Sequence, residues 1–328
     1  MTSLVHSIMT KLTAEDQRRI IECGIVLAVP LILQDRLIGI IVVGPKLSGR
    51  MYSQEDIALL TTVSNQAAVA IENSRLHIAE IEKKKYEEEL AIARRIQQGL
   101  LPKDVPKIKG LEISGVSVPA MTVGGDYYDF IQLDSKRLLV VVADVSGKGM
   151  SAALYMSKIQ GMIQFAATMH SSPKDILIQV NKLIFESLER KSFITMIAAL
   201  FDLNKKKVTI CRAGHNKAIV STKKGLQHLS AVGIGLGLEK GSLFENKLEE
   251  VHCPVKSNSL FVFYTDGLTE AMNRERSEFG EERVLELLKK NSHSSVNDIQ
   301  STILNDVETF RAGAEQNDDL TLVVVKGK

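Results

Sequence analysis

The chain has 328 residues, 45% apolar and 24% charged, and its 41 Lys+Arg against 39 Asp+Glu leave a net charge of +2. That length suits two or three globular domains, and the near-balance of charge argues against a nucleic-acid partner. Cys23, Cys211 and Cys253 form no CxxC pair, no apolar run reaches the ~18 residues of a membrane span, and no basic-then-apolar leader opens the chain, so a soluble cytoplasmic protein is expected.

A weakly patterned segment comes first. Ile25 to Leu33 and Leu37 to Val43 follow, two β-branched runs around Gln34-Asp35-Arg36, which together predict a β-hairpin. Ser53 with Asp56 three residues on resembles a capping box, and from there to Leu76 the spacing of Ile57, Leu60, Thr61, Ser64, Ala67, Ala68 and Ile71 predicts a helix. Residues 25–76, with Leu37-Ile38-Gly39-Ile40-Ile41 closing the hairpin and Gln66 to Asn73 on the helix, are similar to the C-terminal half of a GAF domain. A whole GAF domain is about twice as long, so the strands of its usual ligand pocket are expected to be missing upstream. Residues 76–101 are rich in Glu, Lys, Arg and Ala. Ile71, Ile78 and Ile81 form one heptad-like seam, and Tyr86, Leu90, Ala93 and Leu100 form another, offset from it. Such a pattern is a short coiled coil or a lone solvated helix; a homodimer through this helix is the expectation. Pro102 and Pro106 end the helix.

Beyond residue 105 the pattern mixes. Strands are predicted at Leu138–Ala143, Phe193–Phe201, Lys207–Cys211, Lys217–Ser221, Leu260–Tyr264 and Leu320–Val325, with a hairpin turn over 202–206. One helix follows Ser151. Another opens on Ser172 and Pro173, a third covers Arg283 to Lys290, and a fourth carries Ile299, Ile303 and Val307. Paired helices between antiparallel hairpins argue for an α+β sandwich flanked by helices rather than alternating βαβ units. The expected division is 1–75 as a partial sensor domain, 76–104 as a helical linker and 105–328 as the functional domain.

Four acidic clusters stand at the ends of apolar runs: Gly124-Gly125-Asp126-Tyr127-Tyr128-Asp129, Ala143-Asp144-Val145-Ser146-Gly147-Lys148-Gly149, Tyr264-Thr265-Asp266-Gly267 and Asn317-Asp318-Asp319-Leu320-Thr321. A carboxylate at the end of a buried strand is costly unless it is solvated, hydrogen-bonded or bound to a cation. Asp-Gly is also ordinary turn chemistry, so Asp266 alone would read as structural. Four such sites in one domain point instead to hard or borderline ions such as Mg²⁺ and Mn²⁺. His and Cys are sparse and show no ligand spacing, which disfavours zinc. Two ions sharing these carboxylates would activate water and clamp a phosphoryl group.

In this order, the motifs resemble the SpoIIE/RsbU-like bacterial branch of the metal-dependent (PPM, type 2C) protein serine/threonine phosphatases. The resemblance runs over about residues 88–328 and takes in Ala93-Arg94-Arg95-Ile96-Gln97-Gln98-Gly99-Leu100-Leu101-Pro102 and Arg212-Ala213-Gly214-His215-Asn216. It implies a PPM-type β-sandwich, hydrolysis of phosphoserine or phosphothreonine, and two Mn²⁺ or Mg²⁺ ions. It places Asp126, Asp144, Asp266 and Asp318 as metal-binding carboxylates, with Val145 where a backbone carbonyl ligand is expected. Asp318 rather than Asp319 matches the first acid of the closing motif, with a one-residue ambiguity. The implied substrate is a phosphorylated STAS-type anti-anti-sigma factor or another response protein, under control of the sensor and linker. Two features of eukaryotic members are missing: Ser146 replaces a proposed general-acid His, and Met121 and Thr122 stand where a phosphate-binding Arg would precede Asp126. The leaving-group acid is thereby unassigned, with a metal-bound water as the default.

Other residues read both ways. His215, after Ala-Gly at a strand end, is a hydrogen-bonded structural residue first and a catalytic group second. Lys148 is a phosphate-attracting charge or a solvated loop residue, and its Ser-Gly-Lys-Gly setting lacks P-loop spacing. Tyr127 and Tyr128 are expected to divide between packing and the rim of the cleft. Two competing functions stand beside the phosphatase: a metal-free regulatory or scaffold module of the same fold, and a binuclear metal hydrolase of nucleotides or small phosphoesters.

Overall fold

The computed structural model describes residues 15, 18, 19, 22–189, 191–222 and 225–328, and most of the weakly patterned first segment lies outside them. The chain divides into two compact units, Met1–Glu89 and Leu90–Lys328.

In the first unit β1 (Leu27–Leu33) and β2 (Arg36–Val43) pair antiparallel as the predicted hairpin. Gln34 and Asp35, both at positive φ, make its two-residue turn. Ser53 and Asp56 close the expected capping box in both directions, Ser53 N donating to Asp56 Oδ2 at 2.7 Å and Asp56 N to Ser53 Oγ at 3.3 Å. The helix they start, α1 (Gln54–Gln98), runs without a break through what the sequence presents as two segments. Ser64 and Ala68 are buried on its expected face, whereas Ile71, Ile78, Ile81 and Tyr86 of the two seams are exposed.

In the second unit two five-stranded antiparallel sheets face each other. One holds β4 (Tyr127–Gln132), β5 (Arg137–Val145), β6 (Ile194–Asp202), β7 (Lys207–Ala213) and β10 (Glu250–Pro254), in the order β10-β7-β6-β5-β4. The other holds β3 (Leu111–Val118), β8 (Ala218–Thr222), β9 (Gly225–Leu229), β11 (Leu260–Tyr264) and β12 (Leu320–Gly327), in the order β3-β12-β11-β8-β9.

The period-2 geometry of a strand explains the layers. Along β5, Leu139, Val141, Ala143 and Val145 join the core made with α2 (Met150–Met169) and α3 (Pro173–Ile184), while Leu138, Val140 and Val142 fill the space between the sheets. Along β11, Phe261 and Phe263 point inward, and Leu260, Val262 and Tyr264 pack under two further helices. After the short α4 (Ser242–Lys247) and α5 (Asp266–Thr269), these are α6 (Glu281–Lys290) and α7 (Val296–Arg311). The result is the expected α+β sandwich flanked by helices. The sequence reading missed β3, β4, β9, β10, α4 and α5.

Candidate metal centre

The same parity aims the acidic residues. Asp144 shares the inward face of Leu138, Val140 and Val142, and Asp126 continues the inward series of Tyr128 and Phe130. Across the gap, Thr265 continues Phe261 and Phe263, while Asp319 and Thr321 continue Val323 and Val325. The starts of β4 and β12 and the ends of β5 and β11 lie at one end of the sandwich, because β4 pairs antiparallel with β5 and β11 with β12. Carboxylates from both sheets therefore meet at one edge of the inter-sheet core.

Asp126 is buried, and Thr265 Oγ1 donates to its Oδ2 at 2.7 Å. Burial, then the charge of Asp144, raises its carboxyl well above the ordinary carboxylate range, against the Thr321 and Thr265 hydroxyls. Asp144 is pushed up to about 7, first by burial and then by Asp266, Asp318 and Asp319, with Lys148 opposing. Asp266 is raised by burial and by Asp318. Each charge makes the next harder to hold, so the edge carries carboxylate charge that nothing in the chain fully neutralises.

The two neighbouring acids of the last cluster have different partners. Asp318 pairs with Lys148 Nζ at 2.9 Å and stands among the charges that raise Asp144 and Asp266. Asp319 instead accepts from Ala120 N at 2.7 Å and Gly125 N at 2.6 Å. Among the described residues no three His, Cys, Asp or Glu side chains gather closely enough to hold a metal ion by themselves. Mg²⁺-like ions keep several waters and bind one or two carboxylates each, so they do not require such a group. The donor chemistry, hard oxygen with unneutralised charge, fits the implied ions.

The remaining candidates sort clearly. His215 is 3% exposed, its Nδ1 shares a 2.8 Å hydrogen bond with Thr195 Oγ1, and its Nε2 is buried without a partner. Burial, then Arg212, lowers its pKa to about 3, so the imidazole stays neutral. Thr195 lies opposite Asp144 on the β5–β6 ladder, so His215 is bonded to a residue beside the acidic edge. Tyr127 and Tyr128 both pack, one in each core layer, and neither lines a rim. The rim expectation assumed an open strand end, whereas the alternation of β4 sends both rings into cores; Tyr127 also donates to Asp129 at 2.8 Å. The sequence reading gave Thr265 and Thr195 no role and considered Asp319 only as the alternative to Asp318. Thr265 and Asp319 sat inside quoted motifs, whereas nothing in the sequence marked Thr195.

Comparison with known proteins agrees with this geometry. Residues 134–328, more than half of the chain, match the Stage II sporulation protein E (SpoIIE) family model, and residues 7–72 match a GAF domain model. The GAF match thus begins upstream of the residues 25–76 that resembled one. The chain is 30% identical over 243 residues to phosphoserine phosphatase RsbU of Bacillus subtilis (strain 168), covering 73% of this chain and 70% of that protein. The SiaA-PP2C domain of Pseudomonas aeruginosa superposes with a TM-score of 0.67 at 18% identity, over 75% of this chain and 99% of that one. RsbX in complex with magnesium superposes with a TM-score of 0.52 at 17% identity, over 69% of this chain and 99% of that one.

Proposed function

The chain belongs to the SpoIIE family of PP2C-type serine/threonine phosphatases, and from that premise we propose that it hydrolyses phosphoserine or phosphothreonine on a STAS-type anti-anti-sigma regulator, using water activated by two divalent ions, Mn²⁺ or Mg²⁺. The observation that carries this reading is the unneutralised acid at the sandwich edge: burial and mutual repulsion push Asp126, Asp144 and Asp266 all upward. Asp126, Asp144, Asp266, Asp318 and the Val145 carbonyl are the groups that would hold the ions. Bound there, the ions would neutralise phosphoryl charge and lower the pKa of an attacking water.

The chain's own residues organise the rest. Thr265 fixes one oxygen of Asp126, and Asp319 holds the segment that carries it through the amides of Ala120 and Gly125. Lys148 is 51% exposed and paired with Asp318, so its ammonium stands where an incoming phosphate would exchange for that carboxylate. His215, neutral and buried, does not donate a proton to the departing Ser or Thr oxygen; water reaching the open edge does. The partly exposed Asp144, Asp266 and Asp318 suit a phosphorylated side chain presented on a protein surface.

Upstream, residues 1–75 act as a partial GAF-like sensor and 76–104 as the linker that regulates 105–328. The exposed Ile71, Ile78 and Ile81 support a homodimer through α1. The three unpaired cysteines support a cytoplasmic setting, and among the described residues no helix is long and apolar enough to cross a membrane.

The test is phosphate release from phosphorylated STAS-type regulators, with and without Mn²⁺, beside p-nitrophenyl phosphate and a nucleotide. Mn²⁺-dependent release that favours the phosphoprotein is expected. Neither Mn²⁺ binding nor turnover would leave the metal-free scaffold, and equal turnover of the small phosphoesters would leave a general hydrolase.

A further inference from the structure

We propose that Gln97, in the last turn of α1, is a positioning residue for Asp126, acting through the backbone of Gly124. This rests on the reading of Asp126 and Val145 as ion-holding groups. Gln97 is only 9% exposed. Its Nε2 donates to the Gly124 carbonyl at 2.6 Å, and its Oε1 accepts from the Gly124 N–H at 3.1 Å. A primary amide carries the donor and acceptor of a peptide group on one planar head. Gln97 therefore does for Gly124 what a neighbouring strand would do.

The segment needs such a partner. Between the end of β3 at Val118 and the start of β4 at Tyr127 the chain has no helix or strand, yet 123–126 is buried. Buried backbone groups must find partners or cost stability. Side chains anchor this stretch at three points: Asp319 through the amides of Ala120 and Gly125, the Thr265 and Thr321 hydroxyls through the carboxylate of Asp126, and Gln97 through both polar groups of Gly124. The first two points are held from the strand ends that form the acidic edge. The third comes from the helix.

Close packing converts that clamp into control of position. A Cβ on Gly124 would lie 2.4 Å from Asp319 Oδ2, so the backbone runs flush against that carboxylate. A Cβ on Gly125 would lie 3.0 Å from the Val145 carbonyl oxygen and 3.1 Å from Ala152 Cβ. Gly124 thus has no free space on the Asp319 side, and Gly125 has none on the side of the carbonyl assigned to an ion. Releasing Gly124 from Gln97 leaves Asp319, Thr265 and Thr321 to hold a segment whose anchor at Gly124 is gone, and Asp126 lies two residues along it. Gln97 itself touches no substrate.

The experiment uses the full chain with Gln97→Met, which keeps length and packing but removes both hydrogen bonds, Gln97→Glu, and Gln98→Met as an exposed control. The first readout is metal-free amide hydrogen exchange. Gln97→Met should exchange Gly124, Gly125 and Asp126 roughly tenfold faster or more, about the factor one lost buried hydrogen bond is worth, with β5 unchanged. The second is Mn²⁺ affinity by calorimetry, which should weaken by about the same factor, with kcat falling and KM for the phosphoprotein unchanged. Gln97→Glu offers the amide's donor–acceptor pair only when its carboxyl is protonated, so its exchange defect should shrink below pH 6 while that of Gln97→Met does not. Gln97→Met with parental exchange at 124–126 overturns the proposal, whether or not the parent binds Mn²⁺. Faster exchange with unaltered Mn²⁺ affinity and kcat also overturns it, reducing Gln97 to a structural tie. A parent that neither binds Mn²⁺ nor turns over refutes the phosphatase reading separately. If Gln97→Met fails to fold, the pH-dependent recovery of Gln97→Glu decides: absent, the proposal falls.

Discussion

Replacing Asp144 by Asn exchanges a carboxylate for a neutral amide of the same shape at the most repulsive point of the acidic edge. The folded carboxyl titrates at about 7 against an ordinary value of 3.8, through burial and then Asp266, Asp318 and Asp319. A raised carboxylate favours the metal-free fold while it is protonated: that contribution is complete below pH 3.8 and is lost as pH rises through 7. At about 1.36 kcal/mol for each tenfold change in proton affinity, ionising Asp144 in the fold at pH 8 costs at most about 4 kcal/mol. Solvent and relaxation at the half-open edge lower that ceiling. Asn does not ionise. Metal-free Asp144→Asn should therefore melt several degrees above the parent at pH 8, at roughly 2–4 °C per kcal/mol for a domain of this size, and the gap should close towards pH 4. Turnover should fall on the order of 10³-fold, because an ion-holding group is lost. Melting curves at pH 4 to 8 with chelator, set beside Mn²⁺-dependent phosphate release, read both effects. A variant no more stable than the parent at pH 8, or one that keeps Mn²⁺-dependent turnover, would refute the reasoning.

Asp318→Ala should abolish turnover with only a small change in melting, because the loss of its Lys148 pair and of the Asp319 N–H it accepts is offset by relief of repulsion at the acidic edge. Asp319→Ala should keep part of the turnover but lose about 1–3 kcal/mol for the amides of Ala120 and Gly125 left unpaired; the reverse pattern would shift the ion-holding acid by one residue. His215 titrates at about 3 in the fold, below its ordinary 6.5, so its contribution is present above pH 6.5 and lost as pH falls towards 3. The melting difference between parent and His215→Gln should accordingly narrow as pH drops from 7 to 4, and a constant difference would contradict the buried neutral imidazole. Leu90→Pro should break α1 at a cost of about 3 kcal/mol or more and change basal activity or Mn²⁺ affinity. If that variant and residues 105–328 alone both match the parent in turnover and Mn²⁺ dependence, the helix is only a tether.

What could be read from the sequence depended on how far away each residue's partner lay. Leu260–Tyr264 and the helix opening on Ser172-Pro173 were legible because their determinants are local: an apolar run, and a hydroxyl that accepts from Asp175 N three residues on. β4 was not, because Asp129 breaks its apolar run. That carboxylate is tolerated because Phe130 N, Tyr127 and, 35 residues away, Gln164 donate to it. β3 was interrupted by Gly115, whose missing Cβ leaves room for the Tyr128 and Phe130 rings; a Cβ there would lie 2.7 and 2.8 Å from them. The acidic edge divides along the same line. Asp126, Asp144, Asp266 and Asp318 stood out because a strand-end carboxylate is anomalous wherever the chain takes it. Their supports are ordinary residues whose roles exist only through contacts 139 and 194 positions apart, Thr265 on Asp126 and Asp319 on Gly125. Charge is carried by residue type and can be read in one dimension, whereas the groups that aim it, a neutral hydroxyl and a carboxylate spent on backbone amides, act through position, which only the closed sandwich defines.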